Sequence, residues 1–423
     1  MEIIDRIRGM LPREILELLE ESGSLAEEAG VRVYLVGGIV RDLLMDRPNL
    51  DIDLVIDGDG PAYAALLADR KNGNVVMHDR FGTSVVMLPG KRRVDVATAR
   101  TETYETGGAL PKVEFGPIEA DLDRRDFSIN AMAVSLNKGN FGELLDYFEG
   151  IEDIKKKRVR VLHHGSFIDD PTRIFRAVRF EQRFGFRMTK ETEKLVKAGV
   201  EDDLLRTISG ARIRNEIMAI FDEKDAAAAV ERLEEFGVWN ALAPGLHADT
   251  GTMKLFREIV KAENELKPGL THVYKRSAAF LKALLSPADK DVAEAFGCLI
   301  NLSQTRQKEI LAAMAWAPEA CRRLENADLS ASAVWEELHG KTNETLVYVY
   351  AMYGAEVRRN VKRFMEIRKT KPLINGNDLV AMGYQPSALF AGVLKEVLKA
   401  QLDGKVSTRE AEREMASSLL KDA

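Results

Sequence analysis

Two aspartates separated by one residue, Asp51 and Asp53, follow a glycine pair, Gly37 and Gly38, within the stretch YLVGGIVRDLLMDRPNLDIDLVI at 34–56. Side chains alternate between the faces of a strand. A strand opening at Asp51 therefore puts both carboxylates on one face and Ile52 and Leu54 on the other. A glycine turn ahead of them leaves backbone N–H groups open to an anion, and paired acids on a sheet edge can hold divalent cations. This combination suits metal-assisted phosphoryl transfer. A lone acid pair on a strand is more often a solvated edge, so other residues have to support the reading.

Asp95, in the β-rich run RVDVAT at 93–98, is one such residue. If its strand lies beside the one carrying Asp51 and Asp53, three carboxylates converge, a costly arrangement unless cations neutralise it. Arg124, Arg125, Asp126 and Asn130 form a second polar group in RRDFSINAMA. Further on, Asp170 followed by Pro171 reads as an N-cap with proline at the first helical position. In the helix it starts, Ile174, Ala177 and Val178 make an apolar stripe while Arg173, Arg176, Arg179 and Arg183 step round a neighbouring face.

The elements that must position these residues follow from periodicity. Helical spacing covers 12–29, with Gly30 closing it, and 62–70. Strands are expected at 34–36, 74–78, 83–88 and 93–98, then in AMAVSL and over 142–148. Residues 101–117, with three glycines and two prolines, show no clear period and read as a mobile loop of functional length. The result is an α+β pattern with a small mixed sheet. From 168 onward the chain is helical, with runs expected near 188–198, 210–222, 224–236, 250–266 and 272–285.

Composition bounds the rest. A chain of 423 residues needs more than one core, and 45 % apolar with 30 % charged residues is a soluble globular balance. No apolar run approaches the roughly 18 residues of a membrane span. The amphipathic, Glu-rich N-terminus lacks a signal core and is expected to be a docked surface helix. Cys298 and Cys321 stand alone, which fits a reduced, cytoplasmic compartment. The six histidines lack metal-ligand spacing. The net charge of −6 leaves room for a local basic stripe, and residues 354–371, with seven Lys or Arg against two Glu, are the candidate for an RNA backbone.

In order along the chain, LVGGIVRDLL, DID at 51–53, RRDFSINAMA, DDPTRIFRAVRF at 169–180 and KPLINGNDLVAMGYQP at 371–386 together resemble a class II tRNA nucleotidyltransferase. This is the bacterial family of CCA-adding enzymes and their relatives, including poly(A) polymerases. The resemblance implies a DNA polymerase β-like catalytic head over 1–150, then a helical neck (151–222), body (223–290) and RNA-binding tail (291–423). It also implies untemplated addition of C and A from CTP and ATP to the 3′ end of tRNA, assisted by two Mg²⁺ ions. Asp51 and Asp53 match the metal-binding pair, and Asp95 the third carboxylate beside the primer hydroxyl. Gly37, Gly38, Arg41 and Asp42 match the phosphate cradle, and Arg125, Asp126 and Asn130 the ribose and phosphate motif. Asp170 and Arg173 match the base-reading pair, with Arg176 and Arg179 counted beside them as nucleotide-binding.

The donor and acceptor patterns support that pair. An ionised aspartate only accepts and an arginine only donates. Cytosine and adenine each present an amino donor beside a ring-nitrogen acceptor, whereas uracil and guanine reverse both groups. Within the family the chain is open between complete CCA addition and CC-only or A-only addition. The GALP element in the 101–117 loop resembles sequences that include partial-addition enzymes. Poly(A) synthesis is disfavoured, because HDRFGTSVVML stands where those polymerases carry a Gly-Arg-Arg-Phe-like element. A non-catalytic RNA-binding protein would have no need of the acid cluster.

Overall fold

The computed structural model describes residues 2–78, 82–103, 112–270 and 274–421. They fall into two units, Met1–Asp225 with Glu235–Leu242, and Ala226–Glu234 with Ala243–Ala423.

In the first unit, helices α1 (Ile3–Met10) and α2 (Arg13–Glu28) lead into β1 (Arg32–Val36), α3 (Gly38–Leu44), β2 (Ile52–Asp57), α4 (Gly60–Arg70), β3 (Asn74–His78), β4 (Thr83–Leu88) and β5 (Arg92–Thr98). A hairpin of β6 (Arg100–Thr103) and β7 (Lys112–Phe115) is followed by α5 (Ile118–Asp123), β8 (Ala133–Ser135) and β9 (Leu144–Leu145). Seven strands form one sheet in the order β3-β4-β5-β2-β1-β8-β9. The β2–β5 pair is parallel, and the other ladders of this sheet are antiparallel. Ile52, Leu54, Val86, Val94 and Val96 face a core shared with α2 and with α4, where Tyr63 and Leu67 are buried. Asp59 starts α4 by accepting from the Ala62 N–H.

The chain then forms α6 (Gly150–Lys155), β10 (Arg158–Val159), α7 (Ser166–Asp169), α8 (Arg173–Phe184), β11 (Arg187–Met188), α9 (Lys190–Glu201) and α10 (Gly210–Phe221). The second unit is helical, with long segments at Thr250–Leu266 and Gln304–Leu324. Cys298 is exposed and Cys321 buried, both as free thiols. Among the described residues no helix is long and apolar enough to cross a membrane.

Three local expectations are corrected. The 101–117 stretch is not structureless, because its arms pair as β6 and β7, with Thr101 opposite Glu114 and Glu102 opposite Val113; its tip, 104–111, lies outside the described residues, and so does the whole GALP element. The strand expected over 142–148 shrinks to two residues, since Asp146 accepts the Gly150 and Ile151 N–H groups and opens α6 instead. The helix expected to start at Pro171 begins at Arg173 with Thr172 at its N-cap, and Asp170 ends α7.

Candidate active site

Asp53 on β2 is the register partner of Asp95 on β5, so the adjacency that the sequence left conditional is met. Asp51 lies one residue ahead of β2, exposed, with its N–H bonded to the Asn49 side chain at 2.9 Å. Asp95 is held by Arg93, two residues back on the same strand, through Nε at 3.0 Å and Nη2 at 2.6 Å. Burial and the like charges of Asp95 and Asp51 push the Asp53 carboxyl up to about 6, against the pull of Arg125 and Arg93. Negative charge at Asp53 is therefore under-compensated.

The glycine turn approaches these acids closely. Gly37 has φ 76° and ψ −137°, which only glycine adopts without strain. A Cβ there would stand 3.4 Å from Arg125 Nη1 and 3.5 Å from Asp53 Oδ2.

Arg41 and Asp42 lie in α3, buried in the wall of the site. Asn49 donates to Asp42 Oδ2 at 2.7 Å, and Arg41 Nε donates to Asp42 Oδ1 at 2.9 Å. Arg41 Nη1 then donates to Asn130 Oδ1 at 2.6 Å, and the Asn130 amide donates to Asp126 Oδ1 at 2.9 Å. Arg176, from α8, completes the chain on Asp126 Oδ2 through Nε (2.8 Å) and Nη2 (2.5 Å). Burial opposes ionisation of Asp126, yet Arg176 and Asn130 hold its carboxyl below the ordinary range. The Arg41 guanidinium also sits 4.5 Å from the centre of the Phe184 ring.

Arg124 and Arg125 both grip the fully buried Asp121, at 2.6 and 2.9 Å. Arg124 also reaches Glu102 on β6 at 2.9 Å. Asp170 Oδ1 accepts from the Thr172 N–H and hydroxyl and from Arg212 on α10 at 2.7 Å. Arg173 is buried and donates to the Ser166 hydroxyl at 2.7 Å and the Arg124 carbonyl at 2.7 Å.

These groups line one open cleft of about 550 Å³. It contains Gly37, Gly38, Arg41, Asp42, Asp51, Asp53, Arg125, Asp126, Asn130, Asp170, Arg173, Arg176 and Arg179. Asp95 lies beyond it, on a neighbouring hollow that shares Asp53, Arg124 and Arg125. Seven arginines against six carboxylates make the cleft suited to a polyanion although the chain is acidic overall. Asn49, Glu102, Phe180 and Arg212 were not among the expected site residues. The Asp121–Arg124–Arg125 spacing on one helical turn was legible in the sequence, whereas Glu102 and Arg212 find their partners only through the fold.

A divalent cation with oxygen ligands fits the donor set of Asp51 and Asp53 and would relieve the repulsion at Asp53. In the conformation described, Asp51, Asp53 and Asp95 do not close into one cage of three ligands.

The basic run 354–371 in the second unit is largely engaged within the protein. Arg358 pairs with Glu258, Lys362 with Glu265 and Arg359 with Glu356, while Arg363 donates to the Leu329 carbonyl and Arg368 to the Asn343 side chain.

Residues 33–160 match the family model described as the poly A polymerase head domain, and 185–250 the probable RNA and SrmB-binding site of polymerase A. An A-adding tRNA nucleotidyltransferase of Geobacter sulfurreducens is 35 % identical over all of this chain, which spans 49 % of that relative. The A-adding tRNA nucleotidyltransferase of Halalkalibacterium halodurans is 32 % identical over 97 % of this chain and 95 % of its own length. The structure of the Thermotoga maritima CCA-adding enzyme complexed with tRNA superposes with a TM-score of 0.83 at 33 % identity, covering 99 % of both chains.

Proposed function

The chain belongs to the tRNA nucleotidyltransferase family, and from that premise we propose that it adds C or A from CTP or ATP to the 3′ end of tRNA without a template. The observation that carries the reading is the pairing of Asp53 with Asp95 beside an arginine-lined cleft. The RNA 3′-oxygen bonds to the α-phosphorus, the bond from that phosphorus to the bridging oxygen breaks, and pyrophosphate leaves. Asp51 and Asp53 would hold Mg²⁺, expected as two ions, which supply activation of the hydroxyl and neutralisation of the leaving group.

The chain's own residues do the positioning. Gly37 and Gly38 let the backbone approach the triphosphate, and Arg125, beside Gly37, is placed to donate to its oxygens. Arg41 supports that wall through Asn130 more than it reaches outward. Asp95 orients the attacking hydroxyl from the side away from the cleft. Asp170 accepts the amino group of cytosine or adenine, and Arg173 donates to the ring nitrogen once it exchanges its bond to Ser166. Arg176 and Arg179 line the same nucleotide side of the cleft.

Addition of the terminal A alone is the finer reading, because two relatives at 32 % and 35 % identity that span nearly the whole chain are A-adding enzymes. We assign 1–150 to a catalytic head, 151–222 to a neck, and the helical remainder to a body and tail that bind the tRNA acceptor stem, in the cytoplasm. The test supplies CTP and ATP separately with Mg²⁺ to tRNAs ending at the discriminator base, at C or at CC, and to an unrelated RNA. A-only addition appears as one A on the CC end and no C on any substrate. Long A tracts on the unrelated RNA would mark a poly(A) polymerase, and no incorporation on any substrate would refute catalysis.

A further inference from the structure

Helix α8 carries two phenylalanines one turn apart, Phe180 and Phe184, whose rings stack at 5.6 Å with an interplanar angle of 20°. Both are buried. Guanidinium groups gather on them from two directions. Arg41 of α3 lies 4.5 Å from the centre of the Phe184 ring, Arg47 from the turn after α3 lies at 5.1 Å, and Arg183 of α8 itself at 5.7 Å. Phe180 takes Arg176 at 5.3 Å and Arg179 at 5.5 Å. Arg41 and Phe180 line the cleft, whereas Phe184 does not and meets Arg41 from within the protein.

We propose that Phe184 is a positioning residue for nucleotide binding: its ring holds the Arg41 guanidinium by the face, and through Arg41 it sets the cleft wall that meets the triphosphate. The inference rests on the function proposed above and adds to it a residue that touches no substrate.

A carboxylate and an aromatic ring hold an arginine differently. The carboxylate takes N–H donors at the guanidinium edge and cancels the charge, whereas the ring takes the face and leaves both edge and charge in place. At Arg41 the edge is already engaged, by Asp42 at 2.9 Å and Asn130 at 2.6 Å. Those bonds locate the group within its own plane, and the Phe184 ring holds the plane itself. Burial and the nearby charge of Arg183 weaken the hold of Arg41 on its proton, against the pull of Asp42, so a ring that favours the charged form counts here. Arg179 follows the same pattern: its Nε is buried without a hydrogen-bond partner among the described residues, and its guanidinium lies over Phe180. Rings placed in this way keep like charges side by side without neutralising them, as a site for a polyanion requires. An aliphatic side chain at 184 would fill the volume and supply none of that attraction.

The test separates ring charge from ring volume. Full-length protein with mono-, di- or trifluorinated phenylalanine in place of Phe184 keeps the shape of the side chain while withdrawing electrons from its face. In steady-state assays, KM for the nucleotide that the wild type incorporates should rise stepwise along the series, to about fivefold at its end, with KM for tRNA and the melting temperature unchanged. Phe184→Leu should raise the same KM at least as far. Phe186 is the control, since it packs against Phe184 at 5.7 Å and its ring meets no guanidinium among the described residues. The same fluorinated series at Phe186 should leave every constant where it was. A nucleotide KM that stays flat along the Phe184 series, or moves equally along the Phe186 series, would overturn the proposal and leave Phe184 a core side chain. An equal rise in KM for tRNA would overturn it as well, because the wall would then serve no particular substrate. Wild-type protein that extends no RNA would refute the proposed function and this inference with it; wild-type activity with a flat series would overturn this inference alone.

Discussion

Asp95, the register partner of Asp53 across two parallel strands, is after burial the largest influence raising the Asp53 carboxyl to about 6. A carboxyl raised by folding binds its proton more tightly in the folded state, so stability falls as pH rises from near 4 to near 6 and the loss is complete above that. Asp53→Asn should therefore melt higher than the metal-free wild type above pH 6, by up to ~3 kcal/mol, with the difference vanishing near pH 4. Calorimetry in chelator across that range checks it, and a variant less stable than wild type at pH 8 would contradict the electrostatic account. Added Mg²⁺ should stabilise the wild type and not the variant, which should also be inactive.

Arg176 reaches Asp126 from a separate helix with two donors, and the aspartate is buried. Arg176→Ala strips that carboxylate of its ion-pair partner, leaving the Asn130 and Phe127 N–H bonds on its other oxygen, and should cost about 3 kcal/mol, read from urea unfolding. Arg176→Lys keeps the charge and loses the two-pronged geometry, so it should fall between. Equal stability of all three proteins would mean that the pair contributes nothing.

Arg212 holds Asp170 Oδ1 at 2.7 Å. Asp170→Ala or Arg173→Ala should relax or abolish the choice of CTP and ATP without weakening cation binding. Arg212→Ala should loosen the choice by about tenfold or less, because Thr172 still donates to the same oxygen. Nucleotide competition at fixed tRNA reads this. Intact selectivity in the Asp170 and Arg173 variants would reduce both residues to structural roles.

Gly37→Ala should lower stability by about 1–2 kcal/mol, since its positive φ is strained for alanine, and should raise KM for the nucleotide, since the methyl would occupy the space beside Arg125 and Asp53 that the triphosphate is proposed to use. Gly90, also at positive φ but with open space around its Cβ, is the control for strain alone. A Gly37→Ala effect on nucleotide KM no larger than that of Gly90→Ala would remove the argument that Gly37 makes room for the triphosphate.

Much of the site could be read along the chain because its parts lie in short local patterns. The Asp51–Asp53 alternation and Gly37–Gly38 each require only a period and a turn, and the structure sets all four in one cleft. What periodicity does not show is where each donor goes. Arg41 and Arg173 read as groups for the phosphates and the base, yet both are buried and bonded to protein groups. Residues 354–371 read as a candidate for an RNA backbone, yet Arg358 and Lys362 are paired with Glu258 and Glu265 on a helix that only the fold brings near. Asp170 read as an N-cap because Asp-Pro usually starts a helix, but Thr172 holds that place.

The sequence by itself determined the inventory: which carboxylates and guanidinium groups exist, and, for Asp53 and Asp95, which strands carry them and on which face. Those properties are set by local spacing and backbone sterics. Only the tertiary structure decided that β2 and β5 are parallel neighbours with Asp53 opposite Asp95, and that Arg176 closes on Asp126. Strand order, register and the pairing of buried charges arise from packing between segments distant in the chain, where no local pattern selects among partners.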